Sequence, residues 1–192
     1  MSGKYGILKS ALVCALLMAA SGAMAAGSGA AAPVSPTPVY VTTAGQSADA
    51  HAVKLLLDRC KVTASYDAIA AASKISGSKT LFLVIGGSSK GLGAAGMDKD
   101  QEMARIKAIL AKAKQEKMFI VGIHIGGESR RGPLSAEFIN YVAPQCDYII
   151  VKADGNKDGY FTALGKKSNI PVTVIDQTLD LMGIFKAMFP AK

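Results

Sequence analysis

Thr80-Leu81-Phe82-Leu83-Val84-Ile85 carries no charge and runs straight into Gly86-Gly87-Ser88-Ser89-Lys90-Gly91-Leu92-Gly93. Six residues that are apolar on both alternating faces predict a strand covered by helices from two sides, because a strand with one wet face would alternate. Met118–Ile125 (MFIVGIHI) has the same character and closes on Gly126-Gly127. Outward from these two, Val39–Thr43, Val62–Tyr66, Asp147–Val151 and Pro171–Ile175 are shorter β-branched or aromatic runs. Helical patterns separate them. Ser47 reads as the N-cap of a helix to about Cys60, and Asp67 as the cap of a short helix through Ile75. Asp98-Lys99-Asp100-Gln101 has capping-box spacing and opens a helix that ends near Lys117. Ser135 opens a helix stopped by Pro144, and Lys157–Lys167 and Thr178–Phe189 are the last two. Strands alternating with helices predict an α/β fold: a three-layer doubly wound parallel sheet of about five to six strands, flavodoxin-like or Rossmann-like in order.

The other end of the chain predicts its destination. Lys4 and Lys9 precede the apolar Ala11–Ala20, and Ala23-Met24-Ala25 supplies the small residues a signal peptidase reads. Residues 1–26 are therefore expected to be a cleaved signal peptide, with the mature protein periplasmic or extracellular. The apolar run is short of the roughly 20 residues a bilayer span needs, so no stable membrane anchor is expected after cleavage. Residues 27–38 (GSGAAAPVSPTP) hold Gly, Ser, Ala and Pro without charge and predict a flexible linker without packed structure. Residues 39–192 form the single domain. With 50% hydrophobic and 19% charged residues, the chain is excluded from disordered, collagen-like and coiled-coil classes. Its formal charge of +8 falls to +6 when Lys4 and Lys9 leave with the signal. No Lys/Arg run is present, so an anionic small molecule is expected as partner and nucleic acid is not.

In sheets of this kind, ligands bind outside the carboxyl ends of the strands, where strand order reverses. That rule gathers Gln46 and Ser47, then Gly86, Gly87, Ser88, Ser89, Lys90 and Gly91, then Gly127, Glu128, Arg130 and Arg131, then Asn156 and Lys157. Glycines let backbone amides converge, and Lys or Arg complete an anion cradle. The competing reading is that these glycines end strands and the basic residues face water.

Several sharper motifs fall on the same loops. Gly87, Gly91 and Gly93 have the spacing of the cofactor turn of short-chain dehydrogenases. That turn belongs after the first strand, and the mature chain has no Tyr-x-x-x-Lys. A phosphate-binding Walker loop fails because Lys90 precedes Gly91 instead of following a Gly and preceding Ser or Thr. Gly87-Ser88-Ser89-Lys90-Gly91 matches a nucleophile elbow with Ser89 as nucleophile, but an elbow needs an immediate helix, and Ala94-Ala95-Gly96 predicts a delayed one. Asp154-Gly155-Asn156-Lys157-Asp158-Gly159 matches half a calcium loop, with Gly165 where a bidentate Glu belongs; a strand-to-helix turn capped by Asp158 is the preferred reading. His51 and His124 lack a third ligand, so no metal and no cofactor is expected. Cys60 and Cys146 remain after cleavage, and the disulfide between them competes with two buried thiols.

Ala44-Gly45-Gln46-Ser47-Ala48-Asp49, Gly86–Gly96, His124–Gly132 (HIGGESRRG) and Asn156-Lys157-Asp158-Gly159 resemble segments of a family of small exported bacterial proteins known only as a domain of unknown function. The resemblance implies export and an α/β domain, and it brings no activity. The functional expectation is an exported binding module for a small anionic or polar ligand. The alternatives are a hydrolase or transferase using the same edge through Ser89 or Glu128, and a non-catalytic protein-interaction domain.

Overall fold

The computed structural model describes residues 27–191. The expected signal peptide lies outside the described residues. The domain is α/β, with a seven-stranded, mostly parallel sheet and six helices. The strands are β1 (Ser28–Gly29), β2 (Val39–Ala44), β3 (Ala64–Tyr66), β4 (Thr80–Ile85), β5 (Phe119–His124), β6 (Tyr148–Lys152) and β7 (Val172–Ile175). The helices are α1 (Asp49–Arg59), α2 (Ser89–Ala94), α3 (Lys99–Gln115), α4 (Pro133–Val142), α5 (Tyr160–Ser168) and α6 (Leu181–Met188). No described helix is long and apolar enough to cross a membrane.

Strand order is β1-β7-β6-β5-β4-β2-β3, and every pairing is parallel except that of β1 with β7. The chain lays β3 outside β2, then returns across it to place β4 on the other side. Strand order therefore reverses between β2 and β4. All six residues of β4 are buried, as its composition requires. Leu81, Leu83 and Ile85 share one core with Ile106 and Ile109 of α3 and Phe138 and Ile139 of α4. Phe82 and Val84 share the other with Val53 and Leu57 of α1 and Ile184 and Phe185 of α6. Each such side chain contributes about 1.5–3 kcal/mol on burial.

Four expectations are corrected. The sheet has seven strands because residues 27–38 are packed: Ser28 and Gly29 pair with Val174 and Thr173, the Ser35 amide bonds the Met188 carbonyl, and Thr80 Oγ1 bonds the Pro36 carbonyl. The Gly-rich loop holds α2, which starts directly after β4, with Ser88 as its N-cap accepting from the Gly91 amide. Asp67 opens no α-helix; only a 3-10 turn, Ala72–Ile75, forms there. Neither Ser47 nor Ser135 caps its helix. Ala48 is the N-cap of α1 and Gly132 that of α4. The capping box of α3 stands as read, with Asp98 and Gln101 exchanging bonds.

Candidate functional site

The reversal between β2 and β4 opens a cleft of about 380 Å³ at their carboxyl ends. Four neighbouring strands feed its wall: Thr43 in β2 with Gln46 and Ser47 after it, Tyr66 at the end of β3, Ser88, Lys90 and Gly91 after β4, and Arg130 after β5. The first loop is held in an unusual shape. Gly45 has φ +107, and a Cβ there would stand 2.6 Å from the Gly86 carbonyl oxygen. Gln46 has φ 63, a left-handed conformation costing a non-glycine residue about 1–2 kcal/mol.

Beneath the loop lies what offsets that cost. Glu102 of α3 is wholly buried and accepts from the Gly45 amide at 2.9 Å and from Gln46 Nε2 at 3.0 Å. Arg105 closes the pair through Nε at 2.7 Å and Nη2 at 2.8 Å. Its remaining donors reach the carbonyls of Ala70 and Thr43. Carboxylate and guanidinium are thus both fully hydrogen-bonded, the condition under which a buried pair is tolerated. Neither residue was expected from the sequence to matter at this site. The available signal was position: Glu102 sits four and seven residues before Ile106 and Ile109, on the apolar face of α3.

The expected cradle of backbone amides over Gly86–Gly91 is largely spent. Gly86 donates to the Ala44 carbonyl, Gly87 to Ser135 Oγ, Ser88 to the Gly45 carbonyl and Gly91 to Ser88 Oγ. The glycines serve close packing instead: a Cβ on Gly91 would run into the Gln46 carbonyl oxygen, and one on Gly87 would meet the Ser135 amide at 2.8 Å. Cations remain. Lys90 is exposed, and Arg130 is half-buried with Nη1 on the Gly87 carbonyl at 3.1 Å. Among the described residues neither lies within ion-pair distance of a carboxylate.

Ser89 opens α2, so the immediate helix that an elbow needs is present after all. The histidine that follows it in the chain is not open to it. Ser89 is exposed, whereas His124 is wholly buried with Nδ1 2.9 Å from the Ile85 carbonyl oxygen. Burial lowers the His124 pKa first, with the Arg131 charge acting the same way; the Ile85 carbonyl, Asp49 and the Gly127 backbone oppose it.

The remaining predicted residues gather elsewhere, around a smaller cleft of about 190 Å³ between the loop after β5 and the turn after β6. There Arg131, gathered with Arg130 by the sequence, parts from it. Arg131 turns away to Asp158 at 2.6 Å and to the Gly155 carbonyl, with its guanidinium 5.2 Å from the Phe161 ring centroid. Lys157 pairs with Glu128 at 2.6 Å and Lys152 with Asp154 at 3.2 Å. Asn156 Oδ1 accepts from the Phe161 amide at 3.0 Å, and Asp158 Oδ1 from that of Tyr160 at 3.2 Å. The side chains of the half calcium pattern thus bond the turn, Arg131 and Lys152, and the cap expected of Asp158 is corrected: Gly159 is the N-cap of α5, with no side-chain cap bond. Gly127 has φ +62 and no room for a Cβ beside the Asp154 carboxylate.

The thiols are free. Cys146 belongs to the core on one face of the sheet and Cys60 packs against the core on the other, so the sheet itself separates them. Burial pushes both thiols up, Cys146 the further.

The loop segments that suggested a family are matched by a family model. The chain belongs to the family described as Domain of unknown function (DUF6305), whose model covers residues 36–189. No curated protein and no solved structure matches the chain.

Proposed function

We propose that this is an exported binding protein that holds a small anionic or polar metabolite in the cleft between the ends of β2 and β4. The order of the six parallel strands supports reading the domain as a flavodoxin-like doubly wound sheet with one strand added, and sheets of that kind bind ligands at the reversal. One observation carries the reading: Lys90 and Arg130 reach the same cleft from different loops, and among the described residues neither lies within ion-pair distance of a carboxylate. Two cations facing one cleft repel each other, and an anion placed between them removes the repulsion. The buried Glu102–Arg105 pair sets the loop that carries Gln46 and Ser47, so the polar groups are in place before the ligand arrives.

Thermal unfolding with inorganic phosphate and a panel of carboxylates tests the proposal, because a ligand that binds only the folded state raises its stability by mass action. Stabilisation is expected in the wild type and is lost in Lys90→Ala and Arg130→Ala. Each lost charge-assisted contact weakens binding by about 1.5–3 kcal/mol, tenfold or more. Arg131→Ala retains the effect, because Arg131 is committed to Asp158. A panel that shifts neither wild type nor variants sinks the anion site. Export is tested separately. The N-terminus of secreted material is expected at Ala26 or Gly27, and intact Met1 on membrane-bound protein overturns a cleaved signal.

A further inference from the structure

The smaller cleft, over β5 and β6, differs from the first in what it leaves unmatched. Its charges are paired among themselves: Arg131 with Asp158, Lys157 with Glu128, and Lys152 with Asp154. Behind its wall, two buried acceptors make no hydrogen bond among the described residues, His124 Nε2 and Asp154 Oδ1. A carbonyl oxygen only accepts, so the proton of the His124 ring sits on Nδ1, against Ile85, and Nε2 presents a lone pair. That nitrogen faces Gly155 of the cleft wall and stands 3.0 Å from where a Cβ would be. Asp154 Oδ1 likewise stands 2.6 Å from where a Cβ of Gly127 would be. At both points the wall is bare backbone.

We infer that this cleft is a second binding site, and that it takes a neutral polyhydroxyl compound whose hydroxyls donate to His124 Nε2 and Asp154 Oδ1. Both unpartnered atoms are acceptors, so the ligand must bring donors. The charged groups of the cleft wall are already paired, so no net charge is left to select an ion. Both acceptors lie below the surface, so entry moves the Gly155 turn, which Arg131 holds through its carbonyl. The site shares no residue with the cleft over β2 and β4 and stands or falls apart from the anion reading.

Titration of nitrogen-labelled protein with myo-inositol, D-glucose and glycerol, followed by NMR, tests it. Saturable shifts are expected at the amides of Gly127 and Gly155 and at Nε2 of His124. His124→Phe keeps a ring against Phe161 and removes the lone pair, so it folds and loses the response. Asp154→Ala, at a half-exposed side chain, weakens the response by about tenfold or more. Three results each overturn the inference: no saturable shift with any of the three compounds, shifts that survive in His124→Phe, or a crystal structure grown in saturating inositol in which water alone bonds Nε2. Phosphate is titrated separately, so failure at one cleft leaves the other standing.

Discussion

The clefts over β2–β4 and over β5–β6 lie on the same edge of one sheet, yet they handle charge in opposite ways. In the first, the matched pair is underneath: Glu102 and Arg105 are joined below the loop, and Lys90 and Arg130 stand above it without a carboxylate. In the second, the matched pairs are outside, and the buried atoms His124 Nε2 and Asp154 Oδ1 go without partners. Both are fed by Gly-rich loops, but the first is lined by Lys90 and Arg130 with no acidic residue, and the second by Arg131 and Lys157 together with Glu128, Asp154 and Asp158. What separates them is where each countercharge is kept.

The strongest way to break this comparison is Glu102→Gln. It leaves the Arg105 guanidinium buried without a countercharge, which is expected to cost about 3–5 kcal/mol in urea unfolding. Adding Arg105→Met should recover part of the loss. A cost near that of a surface pair would mean that the first cleft has no dry foundation. Arg131→Ala is expected to cost less, about 1–2 kcal/mol, because its Asp158 partner is exposed. Hydrogen exchange should quicken over residues 153–158 and stay unchanged at Gly45 and Gln46, which are held by a different pair.

Acid offers a third comparison. The His124 pKa is lowered in the folded state by burial, while the unfolded chain takes up its proton near the ordinary value of about 6.5. The unfolded state then binds more protons below that value, so the stability His124 contributes is present above it and is lost as pH falls. The slope reaches at most about 1.4 kcal/mol per pH unit. Denaturation curves at neutral and mildly acid pH should diverge in the wild type and converge in His124→Phe. The smallest expected effect is that of Ser88→Ala, which removes the N-cap of α2 at about 1 kcal/mol. It should loosen the wall of the first cleft, seen as weaker phosphate stabilisation, and leave Gly155 undisturbed.

The sheet was legible because burial on two faces writes itself into composition. TLFLVI and MFIVGIHI admit few other readings, and the capping box at Asp98 announces α3. Ser28-Gly29 was not legible, since two residues paired only through their backbone carry no side-chain pattern. Helix α2 was hidden by Gly91 and Gly93, which argue against a helix locally; Gly91 is demanded by the approach of Gln46, a contact between distant residues. The same limit applied at the clefts. The sequence places these loops at the carboxyl edge of the sheet, because strand order and strand ends decide that. It cannot say that Arg130 stays in one cleft and Arg131 turns into the other. Glu102 and Arg105, an i,i+3 pair of opposite charges, look like an ordinary wet helix face unless their register with Ile106 and Ile109 is followed.

The strap formed by residues 28–36 bears on the order of events. Ser28 meets Val174, the Ala30 amide meets the Val172 carbonyl, and the Ser35 amide meets the carbonyl of Met188. These contacts join one end of the domain to the other, so none can form until nearly the whole chain is available. A chain emerging from its N-terminus must hold this seam open while β2 to β6 assemble, and close it only when β7 and α6 arrive. Contacts of such long sequence separation are slow to find, because the closure entropy falls due before the contacts reward it. Until the last residues are in place, the outer edge of β7 keeps unpaired backbone groups that another chain could bind, and the arrival of the strap ends that exposure.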